Sequence, residues 1–316
     1  MSRLFRDVDG GCVSPRGSVV CIGAFDGLHL GHQALIGRVC GRAHEFGLDA
    51  AVLSFEPLPR EFFAGDRAPA RLTLPRARIE GLMAFGVDVI GLLRFNAALA
   101  AMPAPDFVRG VIHRRLNARE VWVGPDFRFG KGRSGDIDTL REVGAELGFE
   151  ARSMDQVDIG GSRVSASRIR ELLGEGELGV AAELLGRAYR ISGRVVRGRQ
   201  LGRQLGYPTA NLRLGGKVPA LRGIFATRVH GVGPEPMPAV SSLGTRPTVE
   251  GAEPLLETHL FDFDGDLYGR RIEVEFVARL RDEAKFDDLD ALVAQMDRDA
   301  AAARDILNVN QPRAAQ

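Results

Sequence analysis

The sequence has only three cysteines, Cys12, Cys21 and Cys40, all in its first 40 residues. An odd count without framework spacing excludes a small disulfide-stapled scaffold. Net charge is also scarce, because 42 Lys and Arg nearly cancel 41 Asp and Glu to leave +1. A protein that grips a long polyanion carries a basic excess, so no nucleic acid is expected as a partner. No apolar run approaches the roughly 20 residues that cross a bilayer. The opening segment Met1-Ser2-Arg3-Leu4-Phe5-Arg6-Asp7 has no apolar signal core. There is no internal repeat, and low complexity is confined to residues 308–316. A cytoplasmic protein without membrane association is expected, acting on small ligands that need only local positive charge. At 316 residues, 45% hydrophobic, the chain exceeds one ordinary core, so two domains are expected.

The stretch Ile22-Gly23-Ala24-Phe25-Asp26-Gly27-Leu28-His29-Leu30-Gly31-His32 is the richest in chemistry. The apolar run 18–22 before it reads as a buried strand, and residues 33–39 after it carry helical spacing. A glycine-rich turn between strand and helix lets backbone N–H groups and a helix N-terminus face an anion. His29 and His32 point into the same space and can donate hydrogen bonds to phosphate oxygens. Zinc ligation is the alternative for such a pair, but no third ligand has convincing spacing: His44 falls on another helical face and Asp26 lies across the turn. The pattern resembles the HxGH signature of the nucleotidylyltransferase superfamily, which implies stabilisation of a nucleoside triphosphate during attack on its α-phosphate.

Strands are expected at 50–55, 87–93, 118–123 and 149–154, with helices at 76–85, 106–116 and 138–147. That alternation predicts a doubly wound parallel sheet, whose ligands bind at strand carboxyl ends. Pro57 and Pro59 place Phe62 and Phe63 on an irregular segment, where they either anchor a loop or face a planar ring. Gly130, Gly132 and Gly135 match G-x-G-x-x-G, but the match starts seven residues past a strand and is a weak dinucleotide signal. Lys131 is followed by Gly132, so there is no Walker A loop. Ser165 or Ser167 can cap a following helix. Arg168 and Arg170 in its first turn would oppose the helix dipole unless an anion lies nearby.

After Arg187 the alternation stops. Strand-like runs at 189–196, 223–229, 238–243, 255–261 and 271–280 predict a small antiparallel barrel or sandwich. A helix over 286–307 closes the chain, with Leu289, Leu292, Val293, Met296, Ala300 and Ile306 on one side. Two motifs here carry chemistry. In Gly198 to Asn211, Gly202 and Gly206 supply a backbone cradle, Arg199 and Arg203 supply charge, and Thr209 and Asn211 present two hard oxygens of the sort Mg²⁺ accepts beside phosphates. In Glu257 to Gly269, Glu257 sits among apolar neighbours, so it has a partner or acts as a general base. Asp262, Asp264 and Asp266 resemble a calcium loop, but Leu267-Tyr268-Gly269 breaks it, and a turn is expected.

Taken in order, Gly23–His32, Phe55–Phe63, Gly124–Gly135, Arg163–Arg170, Gly198–Asn211, Ser242–Thr248 and Glu257–Gly269 resemble the prokaryotic bifunctional riboflavin kinase/FAD synthetase family over nearly the whole chain. The resemblance implies an FMN adenylyltransferase domain at 1–186 and a riboflavin kinase domain at 187–316. It implies riboflavin, FMN, FAD, ATP, ADP and pyrophosphate as ligands, Mg²⁺ as cofactor, and a monomer or weak homo-oligomer. In the first module it assigns His29 and His32 to charge stabilisation. Gly23, Phe25, Asp26, Gly31, Ser167, Arg168 and Arg170 fall to ATP, and Phe62, Asp126, Phe127 and Arg163 to the flavin. In the second it assigns Gly202, Gly206, Thr209 and Asn211 to Mg²⁺-ATP and Glu257 to proton abstraction. Ser165-Ala166-Ser167 stands where the family has Ser-Ser-Thr, Ser242 where it often has Asn, and Phe225 where it often has Tyr. An enzyme with one live module, for which Ala166 is the only sequence support, a flavin- or dinucleotide-binding oxidoreductase and a flavin-sensing regulator are the competing readings.

Overall fold

The computed structural model describes residues 2–198, 201–248 and 251–309, so Arg199 and Gln200 of the glycine-rich motif lie outside the described residues. The chain forms two compact units, Met1–Pro69 with Pro75–Ser165, and Ala70–Leu74 with Ala166–Gln316.

In the first unit, β1 (Arg3–Phe5), β2 (Ser18–Ile22), β3 (Asp49–Glu56), β4 (Val89–Arg94), β5 (Ala118–Val123) and β6 (Glu150–Ser153) make one sheet in the order β1-β4-β3-β2-β5-β6. Every pairing is parallel. Strand β2 is buried at all five positions, as a run of apolar residues covered on both faces requires. Helix α1 (Leu30–Phe46) covers one face through Leu35, Ile36 and Val39, together with Leu82. Phe107, Val111, Ile112 and Leu140 cover the other. The crossover after β2 returns to β3, whereas β5 lies on the opposite side of β2, so a topological switch point falls between β2 and β5. Ligand crevices open at the carboxyl ends of strands at such points.

The doubly wound parallel sheet expected for this half is present, with three local differences. Strand β1 was not anticipated; three residues carry too little periodicity to signal. Phe62 and Phe63 lie on a short helix, α2 (Pro59–Ala64), not on an irregular segment. Pro59 sits where a helix needs no donor, and the Glu61 carboxylate accepts the Leu58 N–H at 2.9 Å. Residues expected to form one α-helix at 106–116 form a short α-turn, Ala104–Phe107, that passes into a π-helix, Val108–Arg115.

In the second unit, β7 (Arg190–Val196), β8 (Ala210–Arg213), β9 (Gly223–His230), β10 (Met237–Thr248), β11 (Gly251–Leu260) and β12 (Arg271–Arg281) close an antiparallel barrel, in the order β8-β11-β10-β9-β12-β7. Strand β8 was missed because Pro208 and the glycines before it mask four strand residues. The barrel interior holds Leu212, Leu256 and Leu243 in one register row. Phe225 is fully buried and packs edge-on to Phe276 at 5.1 Å, so the phenyl ring there serves the core. The interior also holds a hydroxyl ladder, in which Thr227 Oγ1 lies 2.7 Å from Ser241 Oγ and Ser241 donates to Thr258 Oγ1 at 2.9 Å.

Helix α3 (Pro75–Ala84) and helix α4 (Ile137–Leu147) belong to the first unit, and α5 (Ala166–Glu175) and α6 (Leu178–Leu185) to the second. The compact units divide at Ser165/Ala166, which puts α5 and α6 with the barrel: α5 packs on α6 and α6 on β12, and Gly176 lies against the Arg279 side chain. The terminal helix α7 (Leu289–Ile306) lies on the outer barrel face. Its contact face keeps the middle of the expected one and departs from it at the ends. Leu289 and Ile306 are exposed, while Ala303 packs with Phe261 and Ala226. Asp299 and Arg304 are buried by pairing with Arg281 and Asp262. The small side chains of Ala300 and Ala303 allow the helix close to the strands, charge pairing adds to the contact, and Leu292 and Met296 of the expected stripe face the barrel side.

Candidate active sites

The turn after β2 opens at the switch point and is held in an unusual backbone shape. Phe25 and Leu28 have φ of 49° and 47°, and Gly27 has φ of 87°. Left-handed non-glycine residues cost roughly 1–3 kcal/mol each and persist only where surroundings enforce them. Arg78 on α3 is one enforcing group. It is fully buried and donates to Ala24 O at 2.9 Å, Phe55 O at 2.8 Å and a Glu56 carboxylate oxygen at 2.9 Å. One guanidinium therefore ties the ends of β2 and β3 together. Sequence reasoning missed it; the available signal was its i, i+4 spacing to Leu82, which puts a charged residue on a buried face.

His29 is the N-cap of α1. Its Nδ1 accepts the His32 backbone N–H at 3.3 Å, so Nδ1 carries no hydrogen in the neutral ring and the proton sits on Nε2. The two imidazoles stack at 3.6 Å between centroids, tilted by 19°. His32 Nδ1 is enclosed without a hydrogen-bond partner. Burial, then the neighbouring His29 and Arg78 charges, hold His32 well below its ordinary value of 6.5. Gly31 leaves room for this stack: a Cβ there would lie 3.2 Å from the His29 ring and 3.7 Å from Val164 O. Phe25 and Asp26 are buried, and the Phe25 ring packs under the turn 5.1 Å from His32. The Phe25 side chain has no exposed surface and supports the turn expected to meet ATP.

Across the switch point, after β5, Asp126 pairs with Arg163 at 2.5 Å. Phe127 stacks on Phe129 at 5.4 Å. Phe62 and Phe63 remain exposed, and both rings meet Phe95 edge-on at 5.3 and 5.8 Å. Two glycines of the weak dinucleotide match, Gly130 and Gly135, serve packing, while Gly132 faces open space with a φ of 63°. A Cβ on Gly130 would lie 2.7 Å from Ala104 Cα, and Phe129 and Gly135 exchange backbone hydrogen bonds across a closed turn. Ser167, Arg168 and Arg170 lie on α5, in the second unit. Arg170 Nε donates to Ala70 O at 2.6 Å and Arg168 pairs with Glu171 at 3.3 Å. Both arginines have protein partners, so their place on the helix does not by itself call for an anion.

In the second unit, register builds a site on the outer barrel face. Asn211 pairs with Glu257, and Glu257 pairs with Ser242, so the three stand in one row across β8, β11 and β10. Thr209 precedes Asn211 by two residues and shares its side; the Asn211 amide donates to Thr209 O at 3.2 Å. These residues line a cavity of about 460 Å³ between the barrel and the terminal segment, with Phe286, Leu292 and Met296 on the other wall. Gly202 closes the glycine-rich turn against Tyr207, where a Cβ would lie 2.4 Å from Tyr207 O. Gly206 has φ of 84° and lies outside the cavity lining. The Thr209 hydroxyl, Asn211 amide oxygen and Glu257 carboxylate form a hard-oxygen set that fits a magnesium–phosphate ligand. Among the described residues, no three His, Cys, Asp or Glu side chains converge as a metal cluster. No helix among them is long and apolar enough to cross a membrane.

A switch-point histidine pair and a barrel-face Asn/Glu row define a two-part phosphate-transferring enzyme, a nucleotidyl-transfer unit joined to a kinase-type barrel. Comparison with known proteins makes this specific. The FAD synthetase family model matches residues 13–168 and the riboflavin kinase model residues 185–307. The chain is 41% identical over 311 residues to the bifunctional riboflavin kinase/FMN adenylyltransferase of Escherichia coli (strain K12), covering 98% of this chain and 99% of that one. It is 43% identical to the enzyme of the same name from Pseudomonas fluorescens, covering 92% and 93%. A solved structure from Streptococcus pneumoniae, titled a macrolide-efflux protein, superposes with a TM-score of 0.78 at 30% identity, covering 96% and 98%. The chain belongs to the bifunctional riboflavin kinase/FMN adenylyltransferase family.

Proposed function

We propose that the chain carries out two consecutive reactions in the cytoplasm, ATP-dependent phosphorylation of riboflavin to FMN and adenylylation of FMN to FAD. The observation that carries this reading is the presence in one chain of the stacked His29/His32 pair at a helix mouth and the Asn211/Glu257 pair facing a cavity.

In the barrel unit, Glu257 takes the proton of the ribityl 5′-hydroxyl as its oxygen attacks the γ-phosphorus of ATP. The β–γ bridging bond breaks and ADP leaves. Thr209 and Asn211 hold the nucleotide phosphates, with the backbone around Gly202 and Gly206 as cradle. Mg²⁺, held by Thr209 and Asn211, would neutralise charge on those phosphates. In the sheet unit, an FMN phosphate oxygen attacks the α-phosphorus of ATP and pyrophosphate leaves. The His29 Nε2–H donates to the phosphates as charge moves onto the leaving group, and His32 backs it as a neutral ring. Backbone at Gly23 and Gly31 leaves space for phosphate, and Phe62, Phe127, Asp126 and Arg163 face the flavin. Positioning and charge neutralisation supply most of the rate in such chemistry.

Incubating the purified protein with riboflavin, ATP and Mg²⁺ and separating flavins over time tests the reading. FMN rises first and FAD follows. FMN without FAD removes the adenylyl-transfer assignment, and unchanged riboflavin removes the kinase assignment.

A further inference from the structure

One contact on the cavity wall of the second unit is accounted for by none of the roles above. His259 lies on β11 two residues after Glu257, so the two side chains share a face, and both line the cavity. His259 Nδ1 stands 2.9 Å from Pro208 O. A carbonyl only accepts, so Nδ1 carries the hydrogen and donates. The Tyr207 ring meets the imidazole edge-on at 5.0 Å, and the Tyr207 hydroxyl bonds to Asp297 on α7. The pyrrolidine ring of Pro208 fixes its φ. What stays free at this point of the chain is rotation of the Pro208–Thr209 peptide plane, and the oxygen of that plane is the atom His259 holds. Thr209 and Asn211 follow directly.

We propose that His259 is a positioning residue for the kinase reaction: by holding the Pro208 carbonyl it sets the Thr209 hydroxyl and Asn211 amide in the geometry that receives the nucleotide phosphates. The inference rests on reading this cavity as the phosphoryl-transfer site. It explains why an imidazole follows the general base on the same strand face, and why Tyr207 packs against that imidazole: the Tyr207 ring, tied to Asp297, steadies the imidazole that holds the Pro208 carbonyl. His259 itself does not touch the transferred group.

The test uses the full chain and three variants. An Asn amide N–H occupies nearly the place of Nδ1–H, whereas the Gln amide sits one bond further out. His259→Ala and His259→Gln are expected to raise KM for Mg²⁺-ATP in FMN formation by about tenfold or more while KM for riboflavin stays within about twofold; His259→Asn is expected to keep most wild-type function. FAD formation from supplied FMN reports on the first unit and stays unchanged. General damage to the barrel would raise both KM values and would not distinguish Asn from Gln. Wild-type kinetics for His259→Ala, or equal impairment of the Asn and Gln variants, overturns the proposal. Glu257→Gln runs in parallel. If it loses FMN formation while His259→Ala does not, the positioning role fails and the site stands; if neither variant loses it, the cavity assignment itself fails.

Discussion

The two units build their sites in opposite ways. In the sheet unit the reactive groups are contiguous: Gly23 to His32 form one strand-to-helix turn, and local geometry alone brings His29 and His32 to a 3.6 Å stack. In the barrel unit they are distant in sequence. Asn211, Ser242 and Glu257 meet only because three antiparallel strands lock in one register. A one-residue slip would turn each side chain to the other face. The local site is stiffened by backbone strain and by Arg78 from another helix, whereas the register-built site depends on what fixes the strands, including the Thr227–Ser241–Thr258 ladder.

This contrast can be broken at either end. The largest effect is expected from Glu257→Gln, which removes the proton acceptor and lowers the rate of FMN formation by about 10²–10⁴-fold. FAD formation from supplied FMN continues, and comparing the two rates checks it. Next comes Arg78→Met. It removes the guanidinium bonds to the carbonyls of Ala24 and Phe55 and to the half-buried Glu56 carboxylate, leaving Ala24 O only the Ser54 hydroxyl as a side-chain donor, at a cost of about 3 kcal/mol. Thermal inactivation of FAD formation from FMN would move to lower temperature while that of FMN formation stays. Thr258→Val keeps the side chain's shape but strips the acceptor of the Ser241 hydroxyl in the barrel interior, at a cost of about 1–3 kcal/mol. Here the order reverses, and thermal inactivation of FMN formation shifts.

A smaller effect follows from pH. Burial foremost, then His29 and Arg78, holds the folded His32 well below its ordinary value of 6.5. The unfolded chain therefore binds a proton near pH 6.5 that the folded chain refuses. The contribution of neutral His32 is complete above that pH and is lost as pH falls below it, by up to about 1.4 kcal/mol per unit. Melting temperatures recorded from pH 7.5 down to 5.5 should fall, and His32→Gln should flatten the slope.

How much of this was legible in the sequence follows from the same contrast. The histidine turn was readable because strand, turn and helix signals stand next to one another, and the parallel sheet was readable from alternation. The barrel was visible as a class, but β8 was hidden by Pro208 and glycine, so the pairing of Asn211 with Glu257 could be placed only through resemblance. Arg78 was readable at most as a charge on a buried helix face, because nothing in its neighbours says that it will reach the carbonyls of Ala24 and Phe55. The burial of the Phe25 ring was hidden for a similar reason: the φ of 49° at this position is not a property of the residue. The ends of the terminal helix misled through hydropathy, because Asp299 and Arg304 are buried by partners on β12 and in the turn after β11 while Leu289 faces outward.

The central claim is that each unit runs one reaction with its own phosphate-handling groups. His29→Ala, incubated with riboflavin, ATP and Mg²⁺, tests it most directly, because the change removes the α1 cap and the Nε2–H donor while leaving the barrel unit untouched. FMN should accumulate at the wild-type rate, with FAD formation reduced by about 10²-fold or more. FAD appearing at the wild-type rate, or FMN formation failing together with it, would contradict the account.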